Sequence, residues 1–554
     1  MGAEKRIMAD VLIVGGGIAG CFAAVKAYDQ GADVVLVDKG YAGKSGQTPF
    51  ATDFMVFDPD KGHDFNDWMR YINKTSEYIN NRYWTELTIK ESFAVFHELL
   101  SWGLEFKPDD GGPDQFLNAP KGLSKPLLYD PADMSRILRK QVAASGVKIF
   151  DRVMITELLK QDGRVSGAVG IAMDNDDLHV FIAKTTVLCA GACGFKPPGF
   201  SPIAQLTCDG EAMAYRAGAE IGGKEFVDTH YTAMEMPSIL GRKKSALSPE
   251  LEARLGLGPD FTLFGEQFNA LGDRIDVRPE GTSGYRFTYL QKEIEAHLGR
   301  APIISQGTRA NELVGGAALG MSLRKADGLW PASSECASTV PGLYAAGDSL
   351  YTIQNGAVYA FLGSSMAGSA ITGSIAGAAS AKEALNIGKT AICAEEIDRA
   401  KKFVLAPTER QGGFSPGWVT QLLQNTMMPY FISYIKKEDR LLAAQTIISF
   451  IRDHLAPCLY AQGSHELRLA HETKNMVLSA EMRLKSSIFR TESRGNHYRE
   501  DFPRRDDACW LAWSKIREDH GEMKLMKVPI PQEWRPDLSL PYEERYPFRF
   551  PGEV

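Results

Sequence analysis

The glycine spacing that follows the first predicted strand constrains this chain more than any other feature. An uninterrupted apolar run at residues 10–14 (DVLIV) predicts a buried strand, and Gly15, Gly17 and Gly20 come directly after it. In such a strand–turn–helix unit the first glycine permits the tight turn, the second admits a pyrophosphate close to the backbone, and the third lets the helix pack on the strand. The motif therefore predicts a dinucleotide-binding turn.

The residues around this turn extend the prediction to a full βαβ unit. An alanine-rich predicted helix follows the glycines, and a second apolar strand ends at Asp38, whose carboxylate can accept hydrogen bonds from ribose hydroxyls. Unpaired N–H groups at the start of a helix attract phosphate. We therefore predict cofactor contacts from Ile18 and Ala19 at the helix start, and from Asp38 and Lys39 at the end of the second strand.

Composition places the chain among multidomain globular proteins. It has 554 residues, of which 44% are hydrophobic and 24% charged, and its formal net charge is −7. No lysine- or arginine-rich run is present, so we expect no nucleic-acid partner. No apolar segment with a cleavage site precedes the first strand, so we expect a cytoplasmic protein.

The eight cysteines are scattered along the sequence and include no CxxC pair. Zinc sites and iron–sulfur clusters use closely spaced cysteines, so we expect no metal site in this chain. We expect instead buried, reduced thiols.

One uncharged stretch, residues 357–379, is long and apolar enough to suggest a membrane span. It also contains many small residues, among them Gly363, Gly368, Gly373 and Gly377, which would suit a helix packed closely on a cofactor domain. We favour the second interpretation and expect no membrane span, with the first as the alternative.

Two later segments indicate which dinucleotide is bound. The segment PGLYAAGD (341–348) resembles the second cofactor motif of flavoproteins, in which the acid, here Asp348, reaches the ribityl chain. The segment VLCAGACG (187–194) resembles a strand end that crosses near FAD in the same class. The resemblance implies FAD, with contacts from Ala190, Gly191, Gly347 and Asp348.

Two longer motifs resemble one family over nearly the full chain. The segment at 208–232 (CDGEAMAYRAGAEIGGKEFVDTHYT) and the segment at 492–507 (ESRGNHYREDFPRRDD) are similar to motifs of the fumarate reductase/succinate dehydrogenase flavoprotein family. That family includes L-aspartate oxidase and the alpha subunit of adenylylsulfate reductase. The resemblance adds Asp209, Ser364 and Ser365 to the expected FAD contacts.

The expected fold is α/β, with a discontinuous Rossmann-like FAD-binding domain, an inserted α+β capping domain and a C-terminal helical domain. The expected units are residues 1–224 and 324–385 for the FAD-binding domain, 225–323 for the capping domain, 386–510 for the helical domain and 511–554 for a C-terminal tail. Strand-like runs at 147–190 are expected to form a small inserted sheet, and the proline-rich end of the tail, 525–554, is expected to wrap an exposed surface.

The mode of FAD attachment follows from residues 44–48 (KSGQT). Membrane-bound relatives carry the flavin on a histidine in this region, and this chain has none there. We therefore expect noncovalent FAD, with Lys44, Ser45 and Gly46 over the isoalloxazine and its phosphates. In the C-terminal motif we expect a salt-bridged turn that docks the helical domain.

The expected substrate site departs from the family pattern. His230, followed by Tyr231, matches a family histidine that contacts substrate, but Phe264 and Phe361 stand where dicarboxylate enzymes carry arginines. Arg286 and Arg309 are the candidates for proton delivery from the cap. Because phenyl rings cannot form the paired hydrogen bonds that guanidinium makes with a carboxylate, we expect a pocket unsuited to fumarate or succinate.

The resemblance implies an FAD-dependent oxidoreductase that moves a hydride to or from an activated C=C or CH–CH substrate other than a C4-dicarboxylate. Since no cluster motif is present, electrons are expected to pass through an iron–sulfur partner subunit in a hetero-oligomer. Two alternatives stay open: an adenylylsulfate reductase alpha-like subunit, and a non-catalytic FAD electron-transfer subunit.

Overall fold

The computed structural model describes residues 2–107, 119–195, 206–228, 325–433, 435–546, 549–550 and 552–553, and the backbone of short strands between residues 232 and 322. The helices of the described part are α1 Ile18–Asp29, α2 Phe65–Thr75, α3 Arg82–Ser101, α4 Pro131–Ala144, α5 Asp209–Arg216, α6 Ser364–Leu385, α7 Ala394–Leu405, α8 Pro416–Met427, α9 Tyr430–Ser433, α10 Glu438–Phe450, α11 Ser464–Phe489, α12 Asp507–Trp510 and α13 Tyr542–Arg545. Single 3-10 turns lie at Thr48–Phe50, Pro59–Lys61, Gly347–Ser349, Ala456–Cys458 and Gln532–Trp534, and a π-helical turn at Ile451–Leu455.

The strands of the described part are β1 Glu4–Val14, β2 Val34–Val37, β3 Asp53–Phe54, β4 Leu127–Leu128, β5 Lys148–Phe150, β6 Val153–Gln161, β7 Arg164–Ala172, β8 Leu178–Leu188, β9 Ile221–Gly222, β10 Val227–Asp228, β11 Thr232–Ala233, β12 Gln267–Asn269, β13 Arg274–Ile275, β14 Ile303–Ser305, β15 Glu312–Gly315, β16 Met321–Ser322, β17 Leu343–Ala345, β18 Ile435–Lys436, β19 Tyr498–Arg499, β20 Ala512–Asp519 and β21 Glu522–Pro529.

The central sheet has the strand order β5-β2-β1-β8-β7-β6, with β17 also paired to β8. Strands β5, β2, β1, β8 and β17 run parallel, whereas β7 and β6 are antiparallel additions. Val11, Leu12 and Ile13 on β1 are fully buried, which explains why this strand reads as an unbroken apolar run. Because β17 comes from residues 343–345, the nucleotide-binding unit is discontinuous in sequence, as predicted.

Strand β8 joins the two parts of the sheet. Along its whole length it pairs with β1, from Glu4 opposite Leu178 to Val14 opposite Leu188. On its other edge the first half pairs with β7 and the last residues pair with β17. The expectation of a separate small sheet at 147–190 is therefore wrong, since one long strand belongs to both the parallel and the antiparallel part.

Helices α1 and α6 pack with their backbones in close contact. A Cβ atom added at Gly373 would lie 2.3 Å from the carbonyl oxygen of Ala19, and one at Gly377 would lie 2.2 Å from that of Ala23. The stretch 357–379 therefore supplies a buried helix of the cofactor domain. Within the described residues, no helix combines the length and the apolar composition that a bilayer crossing demands.

The capping region is described only in its strands. Strands β11, β15, β14, β12 and β13 form an antiparallel sheet in that order, and β10 pairs with β16. The remaining residues between 229 and 324 lie outside the described residues.

The C-terminal part packs on the nucleotide-binding unit. Helices α8, α10 and α11 surround a second hydrophobic core that also contains Cys193 and Phe195 from the nucleotide-binding unit. The tail forms a hairpin of β20 and β21, and β20 pairs with β9. Its last part packs against the rest of the chain, with Ile530, Tyr546 and Phe550 buried and Leu538 and Leu540 exposed.

Candidate functional site

The turn between β1 and α1 has the backbone that the glycine spacing predicts. Gly15 has φ +102°, a conformation that side chains with a Cβ rarely adopt, and a Cβ there would lie 2.4 Å from the carbonyl oxygen of Cys189. A Cβ at Gly20 would lie 1.8 Å from the carbonyl oxygen of Gly15. These two positions accept only glycine, so the turn is held close to both its own helix and β8.

The residue that precedes α1 is Gly17, which has no side chain to accept hydrogen bonds from the first N–H groups of the helix. Ile18 instead donates its N–H to Thr48 Oγ1 at 3.0 Å, across 30 residues of sequence. Helix N-termini with unsatisfied N–H groups attract anions. The structure therefore places Gly17, Ile18 and Ala19 where a phosphate can bind, with Thr48 at the same helix end.

Asp38 is buried, and its carboxylate accepts hydrogen bonds from neighbouring groups of the protein. Its Oδ2 accepts the N–H of Gly16 at 2.6 Å, and its Oδ1 accepts the N–H of Gly40 and the hydroxyl of Ser45, both at 2.6 Å. An ionised carboxylate offers about four acceptor sites, so about one remains for a ribose hydroxyl. Asp38 shapes the loop, and its contact with the cofactor stays a prediction.

Lys39 and Asp209, both expected at the cofactor, form an ion-pair cluster with each other. The Lys39 ammonium lies 2.7 Å from Asp209 Oδ2 and 2.8 Å from Glu472 Oε1 on α11. Although burial opposes it, these two carboxylates raise the pKa of Lys39, so the ammonium stays charged. The cluster joins the nucleotide-binding unit to the helical region, and a direct FAD contact of either residue stays a prediction.

The loop at 44–48 borders an open side of the site. Lys44 is exposed, and the Ser45 hydroxyl donates to Asp38 and accepts the N–H of Tyr41 at 2.8 Å. Gly46 has φ +69°, and no atom lies within 4 Å of the position its Cβ would take. A side chain at position 46 would therefore meet no atom of the protein within 4 Å.

Asp348 follows β17 and lies beside the start of α1. A Cβ at Gly347 would lie 2.9 Å from the Ala19 Cβ, and the Gly347 N–H donates to Thr372 Oγ1 at 3.0 Å. The Lys325 ammonium, fully buried, lies 3.4 Å from Asp348 Oδ1 and donates to Ser369 Oγ at 2.9 Å. Burial lowers the pKa of Lys325, and Asp348 partly offsets this effect.

The strand end at 187–194 closes the third side. The carbonyl of Gly191 accepts the Ser349 hydroxyl at 3.1 Å, and the Cys189 N–H donates to the Val14 carbonyl at 2.7 Å. Gly191 has φ +75°. Ala190 and Gly191 therefore lie between the β1–α1 turn and Asp348, and their contact with FAD stays a prediction.

Several of the buried polar atoms that lack a hydrogen-bond partner in the described part lie in these loops, and the others are spread over the rest of the fold. In these loops they are Gln47 Nε2, Asn355 Nδ2 and Ser365 Oγ. Buried polar groups are normally paired, so such atoms indicate a missing ligand. A dinucleotide with ribityl, phosphate and ring acceptors matches this set, and the residues present fit FAD.

The C-terminal motif forms a buried ion-pair network. Arg494 donates to Glu492 at 2.7 and 2.8 Å and to Asp507 at 2.8 Å, and Arg499 donates to both oxygens of Asp501 at 2.7 Å. Both guanidinium groups are fully buried. The expected salt-bridged turn is present.

His497 in this motif is also structural. It lies 2.9 Å from the Lys436 ammonium through Nδ1 and 3.1 Å from the Arg490 carbonyl through Nε2. Burial, with Lys436 next, lowers the pKa of His497 well below its usual value, so the ring is neutral. The neutral ring donates from Nε2 to the Arg490 carbonyl and accepts at Nδ1.

The expected substrate-site residues are described only in part. His230, Tyr231, Phe264, Arg286 and Arg309 lie outside the described residues. Phe361 is fully buried in the main hydrophobic core, just before α6, and its carbonyl accepts the Ser364 hydroxyl at 2.8 Å.

Four residues of the site were missed by sequence reasoning: Thr48, Gln47, Lys325 and Asn355. None belongs to the glycine fingerprint, and each meets its partners only through the fold. Thr48 and Gln47 had one usable signal, because they continue the KSGQT segment that was already singled out.

The described cysteines include three exceptions to the expected burial. Cys21, Cys189, Cys193, Cys208 and Cys336 are buried and free, as expected. Cys393, Cys458 and Cys509 are exposed, so that part of the prediction is wrong.

Two family models match this chain. One, described as "FAD binding domain", matches residues 10–243, and the other, described as "Fumarate reductase flavoprotein C-term", matches residues 421–545. The first covers the glycine turn and the strand end at Gly191, and the second covers the buried arginines of the C-terminal motif. FAD is therefore the cofactor of this chain.

Similar proteins cover nearly the whole chain. A fumarate reductase (CoM/CoB) subunit from Methanothermobacter marburgensis is 27% identical over 538 residues, 89% of this chain and 94% of that protein. Sdh1 of Mycobacterium smegmatis shares the fold with a TM-score of 0.78, 22% identity and 96% coverage of both chains. Adenylylsulfate reductase of Archaeoglobus fulgidus does so with a TM-score of 0.76, 20% identity, and coverage of 97% and 98%. The chain belongs to the fumarate reductase/succinate dehydrogenase flavoprotein family and is an FAD-dependent oxidoreductase.

Proposed function

We propose that this chain is the catalytic flavoprotein subunit of an enzyme that reduces an activated C=C bond, or runs the reverse dehydrogenation, on a substrate other than a C4-dicarboxylate. The observation that carries the proposal is the fully buried phenyl ring of Phe361 at the entry to α6. By the family resemblance this position carries a substrate-binding arginine in the dicarboxylate enzymes.

Phenylalanine in place of arginine removes a group that can bind a carboxylate. A guanidinium binds a carboxylate through two charge-assisted hydrogen bonds, whereas a phenyl ring offers only an apolar surface. Phe361 lies in the main hydrophobic core, and its backbone carbonyl accepts a hydrogen bond from the Ser364 hydroxyl. An apolar or aromatic acyl group suits this environment better than a small dianion.

The buried arginines of the C-terminal motif do not compensate for the loss. Arg490 donates to Glu225 and Glu492 at 2.8 Å, and Arg505 donates to Glu77 at 2.9 Å. With Arg494 and Arg499 already paired, these four guanidinium groups have carboxylate partners within the protein. They are not free to bind a dicarboxylate, nor the phosphate and sulfate of adenylylsulfate.

FAD supplies the two-electron transfer when bound, and the residues of the chain bind it, orient the substrate and exclude water. Noncovalent attachment is part of the proposal, since residues 44–48 contain no histidine that could link to the flavin. His230, Arg286 and Arg309 are proposed to contact the substrate or to deliver a proton, with Tyr231 and Phe264 lining the pocket.

We include an iron–sulfur protein as the electron partner in a hetero-oligomer. The similar protein from Methanothermobacter marburgensis is named as a subunit, which supports an assembly. The eight cysteines of this chain include no closely spaced pair of the type that holds a cluster, so a separate protein would carry it.

The test is a screen of acceptors against the anaerobically reduced holoprotein, with flavin absorbance as the readout. We expect aromatic enones or enoyl thioesters to reoxidise the flavin faster than fumarate does. The variant Phe361→Leu should slow the reaction with the preferred acceptor, whereas Phe181→Leu, a buried phenylalanine on β8, should not.

Other outcomes decide between the alternatives. Rapid reoxidation by fumarate would overturn the substrate assignment. Formation of adenylylsulfate from sulfite and AMP, or its reduction, would favour the adenylylsulfate reductase alternative. Reoxidation by no organic acceptor, with rapid reoxidation by an iron–sulfur protein, would favour a non-catalytic electron-transfer subunit. Release of FAD on acid precipitation tests noncovalent attachment separately.

A further inference from the structure

Two buried cysteines with no part in the proposed function lie side by side. Cys193 follows β8 and Cys208 precedes α5, and their exposed fractions are 0% and 2%. Cys193 pairs with Thr207 in an antiparallel bridge, and the Gly194 N–H donates to the Leu206 carbonyl at 3.1 Å. The two thiols are thus brought together from separate loops, and both are free.

The two sulfur atoms interact and have charged neighbours. Cys193 and Cys208 belong to the same buried cluster, and each thiol changes the pKa of the other. The Cys208 Sγ lies 3.4 Å from Glu211 Oε2 and 3.8 Å from the Lys224 ammonium. Lys224 is itself fully buried and pairs with Glu211 and, at 2.5 Å, with Asp327. A cation and a carboxylate therefore face the thiol pair inside the protein.

This environment makes the two thiols unequal. Burial raises the pKa of Cys193, but the hydrogen bond from Cys208 and the charges of Lys224 and Arg483 outweigh it, so the pKa is lowered. Burial, and next the hydrogen bond to Cys193, raises the pKa of Cys208 well above its usual value. A thiol with a lowered pKa beside a thiol with a raised pKa is an arrangement that favours disulfide formation.

The backbone of Cys208 supports a specific role for this side chain. Cys208 has φ +64° at the start of α5, in the left-handed region that residues other than glycine rarely adopt. Glycine would fit this conformation without strain. The backbone conformation at position 208 disfavours cysteine, so the presence of a cysteine there indicates that its thiol has a role.

The pair is adjacent to the FAD site. Cys193 lies two residues after Gly191, so the chain allows at most about 7 Å between their Cα atoms. On the other side, a Cβ at Gly210 would lie 3.2 Å from the Ala190 Cβ. Both cysteines are thus attached to loops that border the cofactor, although they are buried from solvent.

We propose that Cys193 and Cys208 are a dithiol–disulfide couple that exchanges two electrons with the FAD of this chain. On oxidation the Cys208 S–H bond breaks and an S–S bond forms with the Cys193 thiolate. Two electrons and one proton leave the pair, and one oxidised FAD takes up the same number. The proposal rests on FAD as the cofactor, and not on the identity of the organic substrate.

The test counts electrons. In an anaerobic titration of the fully oxidised holoprotein with dithionite, we expect about four electrons per FAD, two for the flavin and two for the disulfide. Cys208→Gly should reduce the uptake to two electrons per FAD and should also relieve the strain of the positive φ at that position. Cys193→Ala should likewise reduce the uptake to two electrons per FAD. Cys336→Ala, which removes another fully buried cysteine, should keep the count at four.

A second readout does not depend on the flavin. After denaturation of the oxidised holoprotein, alkylation should modify two fewer cysteines than in the reduced protein, and peptide mapping should join Cys193 to Cys208. Two electrons per FAD in the wild type, with all eight cysteines alkylated, would overturn the proposal. Because the acceptor screen uses other observables, failure of the substrate assignment would leave this result unchanged.

Discussion

The ammonium of Lys325 lies 3.4 Å from Asp348 Oδ1, fully enclosed by the protein, and donates to Ser369 on α6. Asp348 is the acid of the second cofactor motif, and 11% of its side chain is accessible. The lysine lies on the buried side of this carboxylate. The contact of Asp348 with FAD stays a prediction.

We predict that Lys325→Met weakens FAD binding by at least about tenfold, or ~1.4 kcal/mol, because Asp348 loses its buried counter-charge and its orientation. The measurement is the FAD dissociation constant of the reconstituted apoprotein. Lys184→Met, which removes a partly exposed partner of Asp10 at 2.8 Å, is the matched control. An unchanged dissociation constant in Lys325→Met would show that Lys325 only fills space.

The crossing of α1 and α6 has no room for a methyl group. We predict that Gly377→Ala lowers the free energy of unfolding by about 1–3 kcal/mol, because its Cβ would lie 2.2 Å from the Ala23 carbonyl oxygen. Gly388→Ala, where no atom lies within 4 Å of the added Cβ, is the control and should change little. Thermal unfolding of both apoproteins measures the difference, and equal midpoints would contradict the packing described.

Glu492 is the centre of the C-terminal ion-pair network. It accepts hydrogen bonds from Arg490 at 2.8 Å and from Arg494 at 2.7 Å, and all three side chains are fully buried. Glu492→Gln leaves buried cations with one counter-charge fewer, so we predict a loss of roughly 3–5 kcal/mol of stability.

The control for Glu492 is an exposed ion pair. Glu543→Gln removes a carboxylate 2.6 Å from Arg549 at the surface, and we expect a change below about 1 kcal/mol. Denaturant unfolding followed by tryptophan fluorescence compares the two variants. Similar losses in both would show that the buried network contributes no more than a surface pair.

His471 on α11 makes stability depend on pH. Burial lowers its pKa from 6.5 in the unfolded chain to about 3 in the folded protein, where its Nε2 contacts the Val404 carbonyl at 2.8 Å. The unfolded chain therefore binds a proton that the folded protein does not. The contribution to stability is complete above pH 6.5 and falls as the pH drops from 6.5 toward 3.

We predict that His471→Gln, which can still donate to that carbonyl but does not titrate, reduces the dependence of the unfolding midpoint on pH between 6.5 and 3. The measurement is a series of thermal unfolding curves across this interval. His465→Gln replaces a histidine on the same helix and serves as the control. Parallel curves for wild type and His471→Gln would contradict the assignment.

Local sequence signals predicted the nucleotide-binding unit well. The glycines at 15, 17 and 20, the apolar strand before them and the segment at 341–348 all report constraints between neighbouring residues, such as a positive φ or a helix start. For that reason the turn, the discontinuous sheet and FAD were predicted from the chain alone. The substrate-contact predictions at His230, Arg286 and Arg309 stay predictions.

Contacts between distant residues were decided only by the tertiary structure. Lys39 and Asp209, 170 residues apart, pair with each other, and β8 joins two parts of the sheet that the sequence suggested were separate. No local pattern contains such information, because a charged side chain near a motif can face either the ligand or a partner in the fold. The sequence by itself thus determined the cofactor and the family. The tertiary structure decided which charged side chains form ion pairs within the protein, and it brought Cys193 and Cys208 close together.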